Sequence, residues 1–187
     1  MAEKTALVIL ADGAEEMEAT IAIDVLRRGG IKVTVAGLQS ADVVKCARET
    51  RILPDHSLSD VKEKTFDAIV LPGGQPGSNS LAASAEVGKL LQSQDQAKRI
   101  VAAICAAPLA LKSHKIGQGA TITSYPGVRG SVESDLHKYS EDSVVVSGNI
   151  VTSRGPGTAF LFGLKLVEVL VNAEKAKEVA KAMLVDY

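Results

Sequence analysis

Short apolar runs alternate with longer amphipathic stretches along the chain. Residues 6–10, 32–36, 68–71, 100–104, 121–123, 144–146 and 150–152 are near-continuous in Val, Ile, Leu and Ala or rich in β-branched residues. Such runs suit strands buried on both faces. Between the first two, residues 15–28 place Met17, Ile21 and Val25 at four-residue spacing and end in Gly29-Gly30, a helix with a C-terminal stop. The alternation returns with helical patterns over 79–91, 106–113 and 158–171. Repeated β-α-β units predict an α/β fold, a mostly parallel sheet with helices on both faces. Ligands of such sheets bind at the carboxyl ends of the strands. A last helix over 174–183 has Ala176, Val179, Ala180 and Met183 on one face and Glu174, Lys177, Glu178 and Lys181 on the other.

No repeat, low-complexity tract or linker interrupts the 187 residues, so one domain over 1–187 is expected. A chain of this length buries roughly 70% of its unfolded surface and needs neither disulfide nor structural metal. Residues 1–10 read as a first strand rather than a signal peptide, since acids follow at once and no basic leader precedes. The apolar stretch 160–171 is too short for a bilayer and is interrupted by Gly163, Lys165 and Glu168, so no membrane span is expected. A formal charge of −1, six aromatic residues and no Trp disfavour nucleic-acid binding. Cys46 and Cys105 form no CxxC or disulfide framework, which fits a reducing, cytoplasmic compartment.

Residues 100–108, Ile-Val-Ala-Ala-Ile-Cys-Ala-Ala-Pro, carry the clearest chemical signal. A strand runs into Cys105 and a helix follows, with Pro108 in its first turn and small Ala103 and Ala107 two residues to either side of the sulfur. That is the pattern of a nucleophile elbow. A thiol at a helix N-terminus should have its pKa lowered below about 8.5. Position alone leaves a buried structural cysteine as the alternative. After the first strand, Glu15 and Glu16 read as complements to a helix dipole. Glu18 lies at the edge of the apolar face and can turn inward over the sheet, where burial and a nearby thiolate would raise its pKa and let it share a proton with the sulfur. Leu71-Pro72-Gly73-Gly74-Gln75-Pro76-Gly77 opens a strand end into a glycine-rich loop that matches neither GxGxxG nor a Walker loop. Turn chemistry and backbone N–H groups aimed at an oxyanion are both open readings. In Ser153-Arg154-Gly155-Pro156-Gly157-Thr158, Thr158 is expected to cap the following helix. His56, His114 and His137 lack metal-ligand spacing and read as solvated or locally bonded.

Taken together, ALVILADGAEEMEAT, VLPGGQPG, AAICAAP, TSYPG and VTSRGPGT stand in the order and spacing of the ThiJ/PfpI superfamily, and the chain closely resembles its animal deglycase branch associated with parkinsonism. The resemblance covers nearly the whole chain. It implies a flavodoxin-like three-layer sandwich, a homodimer and a reactive cysteine beside a protonated glutamate, matching Cys105 and Glu18. Gly73, Gly74 and Ala106 match an oxyanion pocket. Arg48 and Arg28 match basic residues that reach the pocket across the dimer interface, and Cys46 matches a secondary redox cysteine. Nuclear and mitochondrial pools beside the expected cytoplasmic one are implied in the same way. Two departures matter. Tyr125 precedes Pro126 where glyoxalase-type relatives carry His, and Tyr is a poor base at neutral pH. Ala106 follows the cysteine where the peptidase branch has His, and no downstream His-x-Glu appears, which disfavours proteolysis and amidotransfer.

The resulting expectation is a glyoxalase or deglycase acting without glutathione, metal or other cofactor on methylglyoxal, glyoxal, or their early adducts with protein or nucleotide. Cys105 would attack the aldehyde and Glu18 would move the proton. A redox sensor or redox-dependent chaperone using oxidation of Cys105 is the alternative. A structural dimeric domain with an ordinary thiol is a third.

Overall fold

The computed structural model describes residues 3–187. Met1 and Ala2, part of the apolar start of the chain, lie outside the described residues. In chain order the elements are β1 (Thr5–Leu10), α1 (Glu16–Arg28), β2 (Lys32–Gly37), the short strands β3 (Val44–Lys45), β4 (Arg51–Ile52) and β5 (His56–Ser57), then α2 (Leu58–Val61), β6 (Ala68–Leu71), α3 (Gln75–Ala83), α4 (Ala85–Gln96), β7 (Ile100–Ile104) and α5 (Pro108–Ser113). There follow β8 (Thr121–Ile122), α6 (Arg129–Val132), β9 (Lys138–Tyr139), β10 (Val144–Ser147), β11 (Ile150–Ser153), α7 (Ala159–Leu170) and α8 (Ala173–Ala182).

Seven strands form one sheet in the order β10-β11-β7-β6-β1-β2-β5. All neighbours are parallel except the edge pair β10–β11. Alternate residues of each strand feed two cores, as strand geometry requires. Ala6, Val8 and Leu10 of β1 join Val70, Ile104 and Val151 beneath α1, α7 and α8, with Phe162 and Leu166 filling that layer. Leu7 and Ile9 join Ile69, Leu71, Val101 and Ala103 against Leu81, Leu91 and Leu111 of α3, α4 and α5. Both faces being covered explains why the strands read as unbroken apolar runs.

The chain leaves β1 toward β2 on one side and returns to β6 on the other. This reversal opens a crevice at the carboxyl ends of β1 and β6, with the end of β7 beside it.

Three sequence expectations need correction. The helix expected over 79–91 is two helices, because Ser84 takes an extended backbone, ends α3 and caps α4 by accepting a hydrogen bond from Val87 N. The strand expected at 121–123 is only Thr121–Ile122 and pairs with β9 in a separate two-stranded ribbon. Thr158 precedes α7 but makes no cap bond into it; its hydroxyl accepts from Arg154 N and Gly155 N and thereby closes the loop after β11.

Candidate active site

Cys105 follows the last residue of β7 and has a φ of 65°, a left-handed backbone that side chains other than glycine rarely adopt. Both flanks hold it there. Its N–H donates to Ser153 O at 3.0 Å and its carbonyl accepts from Tyr125 N at 2.8 Å. The turn is the strained elbow expected from the small residues around the sulfur. The thiol is partly exposed at the carboxyl edge of the sheet.

Glu18 approaches from the first turn of α1 and is fully buried. Its Oε2 accepts a hydrogen bond from Gly73 N at 2.8 Å. Its Oε1 is enclosed without a hydrogen-bond partner of good geometry, and Cys105 is close enough for its thiol to act on the carboxyl. Burial pushes the carboxyl up to about 7, with the nearby Glu15 charge adding to the effect and the thiol and Gly73 N–H opposing it. At neutral pH the group therefore stands near its midpoint, where it can both give and take a proton.

The electrostatics of the sulfur differ from the sequence expectation. Burial first, and then the Glu18 charge, push the Cys105 thiol up to about 12, while the N–H groups of Gly74 and Ala106 pull it down. The helix dipole cannot outweigh this. α5 begins three residues beyond the sulfur and opens with a proline that has no N–H to offer. The two groups titrate as a pair, so the state of the sulfur depends on where their shared proton sits. Once Glu18 is protonated, its charge no longer opposes the thiolate.

Gly73 and Gly74 are required by space as well as by turn geometry. A Cβ on Gly73 would run into Glu18 Oε2 and come within 2.5 Å of Cys105 Cβ. A Cβ on Gly74, whose φ is 85°, would collide with Gly13 O and lie 2.6 Å from Glu15 N. The two glycines do different work. Gly74 N–H faces the sulfur together with Ala106 N–H. Gly73 N–H is already engaged by Glu18 and its carbonyl by Glu15 N, so Gly73 anchors the carboxyl and leaves the oxyanion-facing role to its neighbour.

The remaining expected site residues are spread more widely. Tyr125 is half exposed, and its link to the elbow is its backbone N–H. Arg48 lies on the loop between β3 and β4, where its N–H donates to both Glu16 carboxylate oxygens at 2.9 and 3.0 Å while its side chain is exposed. Arg28 ends α1, roughly 15 Å along the helix from Glu18, and pairs with Asp24 at 2.6 Å; within one chain it is not brought to the cysteine. Cys46 is buried, and burial together with the charges of Glu16, Glu15 and Asp12 pushes its thiol up to about 11. That environment does not favour ready oxidation. His114 and His137 bond to Leu81 O and Ile116 O, and His56 is exposed.

Sequence reasoning understated Glu15 and Glu16. Glu15 is the N-cap of α1 and accepts from Glu18 N, and Glu16 is buried with Arg48 N and Thr50 N on its carboxylate. The three-residue spacing from Glu15 to Glu18 was the available signal for a cap. Cavities of about 430 Å³ beside Lys62–Thr65 and α4, and of about 370 Å³ around Gly117–Ala120 and Gly148, contain none of the residues at the elbow.

A model of the DJ-1/PfpI family matches residues 4–169. The chain is 50% identical to the Parkinson disease protein 7 homolog of Danio rerio over 181 residues, covering 96% of each chain. It is 44% identical to the glutathione-independent glyoxalase DJR-1.2 of Caenorhabditis elegans over 183 residues, covering 97% of each. The crystal structure of Drosophila melanogaster DJ-1beta superposes with a TM-score of 0.97 at 53% identity, covering the whole of both chains. Among the described residues no helix is long and apolar enough to cross a membrane.

Proposed function

Since this chain belongs to the DJ-1/PfpI family, we propose that it is a cysteine-dependent, glutathione-independent glyoxalase or deglycase acting on methylglyoxal, glyoxal and their early adducts. The observation that carries the reading is the strained Cys105 elbow set against the buried Glu18 carboxyl. The glyoxalase name of the worm relative supports the same chemistry.

In the proposed reaction the Cys105 thiolate adds to the aldehyde carbon of methylglyoxal. The new oxyanion is met by the Gly74 and Ala106 N–H groups and takes the proton of Glu18, giving a hemithioacetal and leaving Glu18 as carboxylate. Glu18 as carboxylate removes the proton from that carbon, and the electrons shift toward the adjacent ketone. Returning that proton to the second carbon, while the hydroxyl proton on the first carbon passes to the former ketone oxygen, leaves a 2-hydroxy thioester on sulfur. Water cleaves the thioester to lactate and regenerates the thiol, so the sum is dicarbonyl plus water to 2-hydroxy acid. Tyr125 takes no proton in this scheme.

We place the site in one domain that pairs as a homodimer. Met17 on α1 and Val43 and Leu53 flanking β3 and β4 are each more than half exposed, apolar side chains that a partner subunit would cover. Pairing there would carry the partner's basic residues toward the pocket.

Conversion of methylglyoxal to lactate without glutathione, with product followed directly, tests the reading. Multiple turnovers by the wild type and none by Cys105→Ala are expected, and Glu18→Gln should lose turnover while keeping its fold. Absence of turnover in reduced, folded protein would overturn it. A second reading, a peroxide sensor, is favoured by one observation, the enclosed and unpartnered Glu18 Oε1 beside the sulfur. Two peroxide equivalents would take the thiolate to sulfinate with release of two waters, and protonated Glu18 would donate to a sulfinate oxygen.

A further inference from the structure

Glu15, Gly73 and Glu18 form a closed ring of hydrogen bonds. Glu15 N–H donates to Gly73 O at 2.9 Å, Gly73 N–H donates to Glu18 Oε2 at 2.8 Å, and Glu18 N–H donates to Glu15 Oε2 at 2.8 Å. Every member gives one N–H and accepts one. Capping α1 does not by itself call for glutamate, since Ser, Asp or Asn would serve the free N–H groups at least as well. What glutamate adds is a charge held against the backbone of Glu18.

That charge bears directly on Glu18. Glu15 is among the influences that strengthen proton binding by Glu18, whereas the leading influences on Cys105 are burial, Glu18, Gly74 and Ala106. The other groups around Glu18 do not cancel it. Cys105 faces it from the β7–α5 elbow. Glu16 is turned to the N–H groups of Arg48 and Thr50, the Arg48 guanidinium reaches Ala47 O, and among the described residues no cationic side chain pairs with Glu18. A negative charge held against Glu18 in this way favours the arrangement in which the carboxyl holds the proton.

We propose that Glu15 is a positioning residue that biases the proton shared by Glu18 and Cys105 toward the carboxyl, leaving the sulfur as thiolate. The proposal rests on the reading of Glu18 and Cys105 as a proton-sharing pair. It assigns Glu15 a role in reactivity separate from its role as a helix cap.

The test is the rate of Cys105 alkylation by iodoacetamide as a function of pH, read from the mass of the Cys105 peptide, alongside ultraviolet thiolate absorbance. Glu15→Gln keeps an acceptor for Glu18 N–H and removes the charge. Glu15→Ser keeps a good N-cap and removes the charge, and Glu15→Asp keeps both. At neutral pH the Gln and Ser variants are expected to alkylate about threefold more slowly or worse, the effect of half a pKa unit. Their profiles should move to higher pH with a parallel loss of thiolate absorbance, and the Asp variant should stay near the wild-type rate. A merely structural cap would instead be rescued by Ser. If Glu15→Gln does not fold, the contrast between Ser and Asp decides. Wild-type or faster alkylation in Glu15→Ser overturns the proposal. Should Glu18→Gln also leave the rate and its pH profile unchanged, the proton-sharing pair itself is wrong; a shifted Glu18→Gln profile with unchanged Glu15 variants removes only the role of Glu15.

Discussion

Replacing Glu18 with Gln should flatten the dependence of stability on pH. The folded chain raises the Glu18 carboxyl from 4.5 to about 7. Between those values the native state keeps a proton that the unfolded chain has released, so this group's contribution to stability falls as pH rises through the window. A difference of about 2.5 units, at about 1.4 kcal/mol each, amounts to an effect on the order of 3 kcal/mol across the whole window. Gln has the same shape and can still accept from Gly73 N–H, but it cannot ionise. The variant should therefore gain on the wild type steadily from about pH 4.5 to about pH 7 and hold the gain above it. Glu16 and Asp67 do not confuse the comparison. Burial would raise their carboxyls, but N–H and hydroxyl donors, joined at Asp67 by the Lys4 ammonium, hold them below the ordinary value, so they act on stability below the ordinary carboxylate range. The assay is urea unfolding of the reduced protein at fixed concentration, followed by circular dichroism because the chain has no Trp. Parallel pH profiles for wild type and Glu18→Gln across the window would refute the argument.

Gly73→Ala should lower stability by about 2 kcal/mol, because the new methyl meets Glu18 Oε2, Cys105 Cβ and Ile104 O; thermal melting reads the loss, and a displaced pH profile of Cys105 alkylation should accompany it. Limiting peroxide should oxidise the partly exposed Cys105 before the buried Cys46, as measured from the masses of the two peptides; equal oxidation would count against the site. Gly163→Ala should cost about 1–3 kcal/mol, since its Cβ would lie 2.9 Å from Val25 Cβ where α7 crosses α1, and a lower urea midpoint is the expected sign.

The apolar runs at 6–10, 68–71 and 100–104 were legible as strands because both faces of the sheet are covered, and their positions fell within a residue of those found. The elbow at Cys105 was legible because a tight strand-to-helix turn tolerates only small neighbours. What stayed hidden depended on contacts between distant segments. Ser84 breaks a helix whose apolar spacing runs on past it. Glu15 and Glu16 look like ordinary first-turn acids until the Gly73 and Arg48 loops close over them. The direction of the thiol shift required knowing how deeply Glu18 and Cys105 are buried and which N–H groups reach each of them. Spacing along a chain carries none of that.

The left-handed backbone of Cys105 carries a consequence for any attempt to improve the protein. An L-residue there carries roughly 1–2 kcal/mol of steric cost that glycine would not, and the carbonyl and N–H on either side leave it no room to relax. A library sorted for heat tolerance alone would thus drift toward glycine at this position and discard the sulfur along with the strain. Screens for a hardier version must select on thiol reactivity in the same round, or they will converge on a sturdier, inert scaffold.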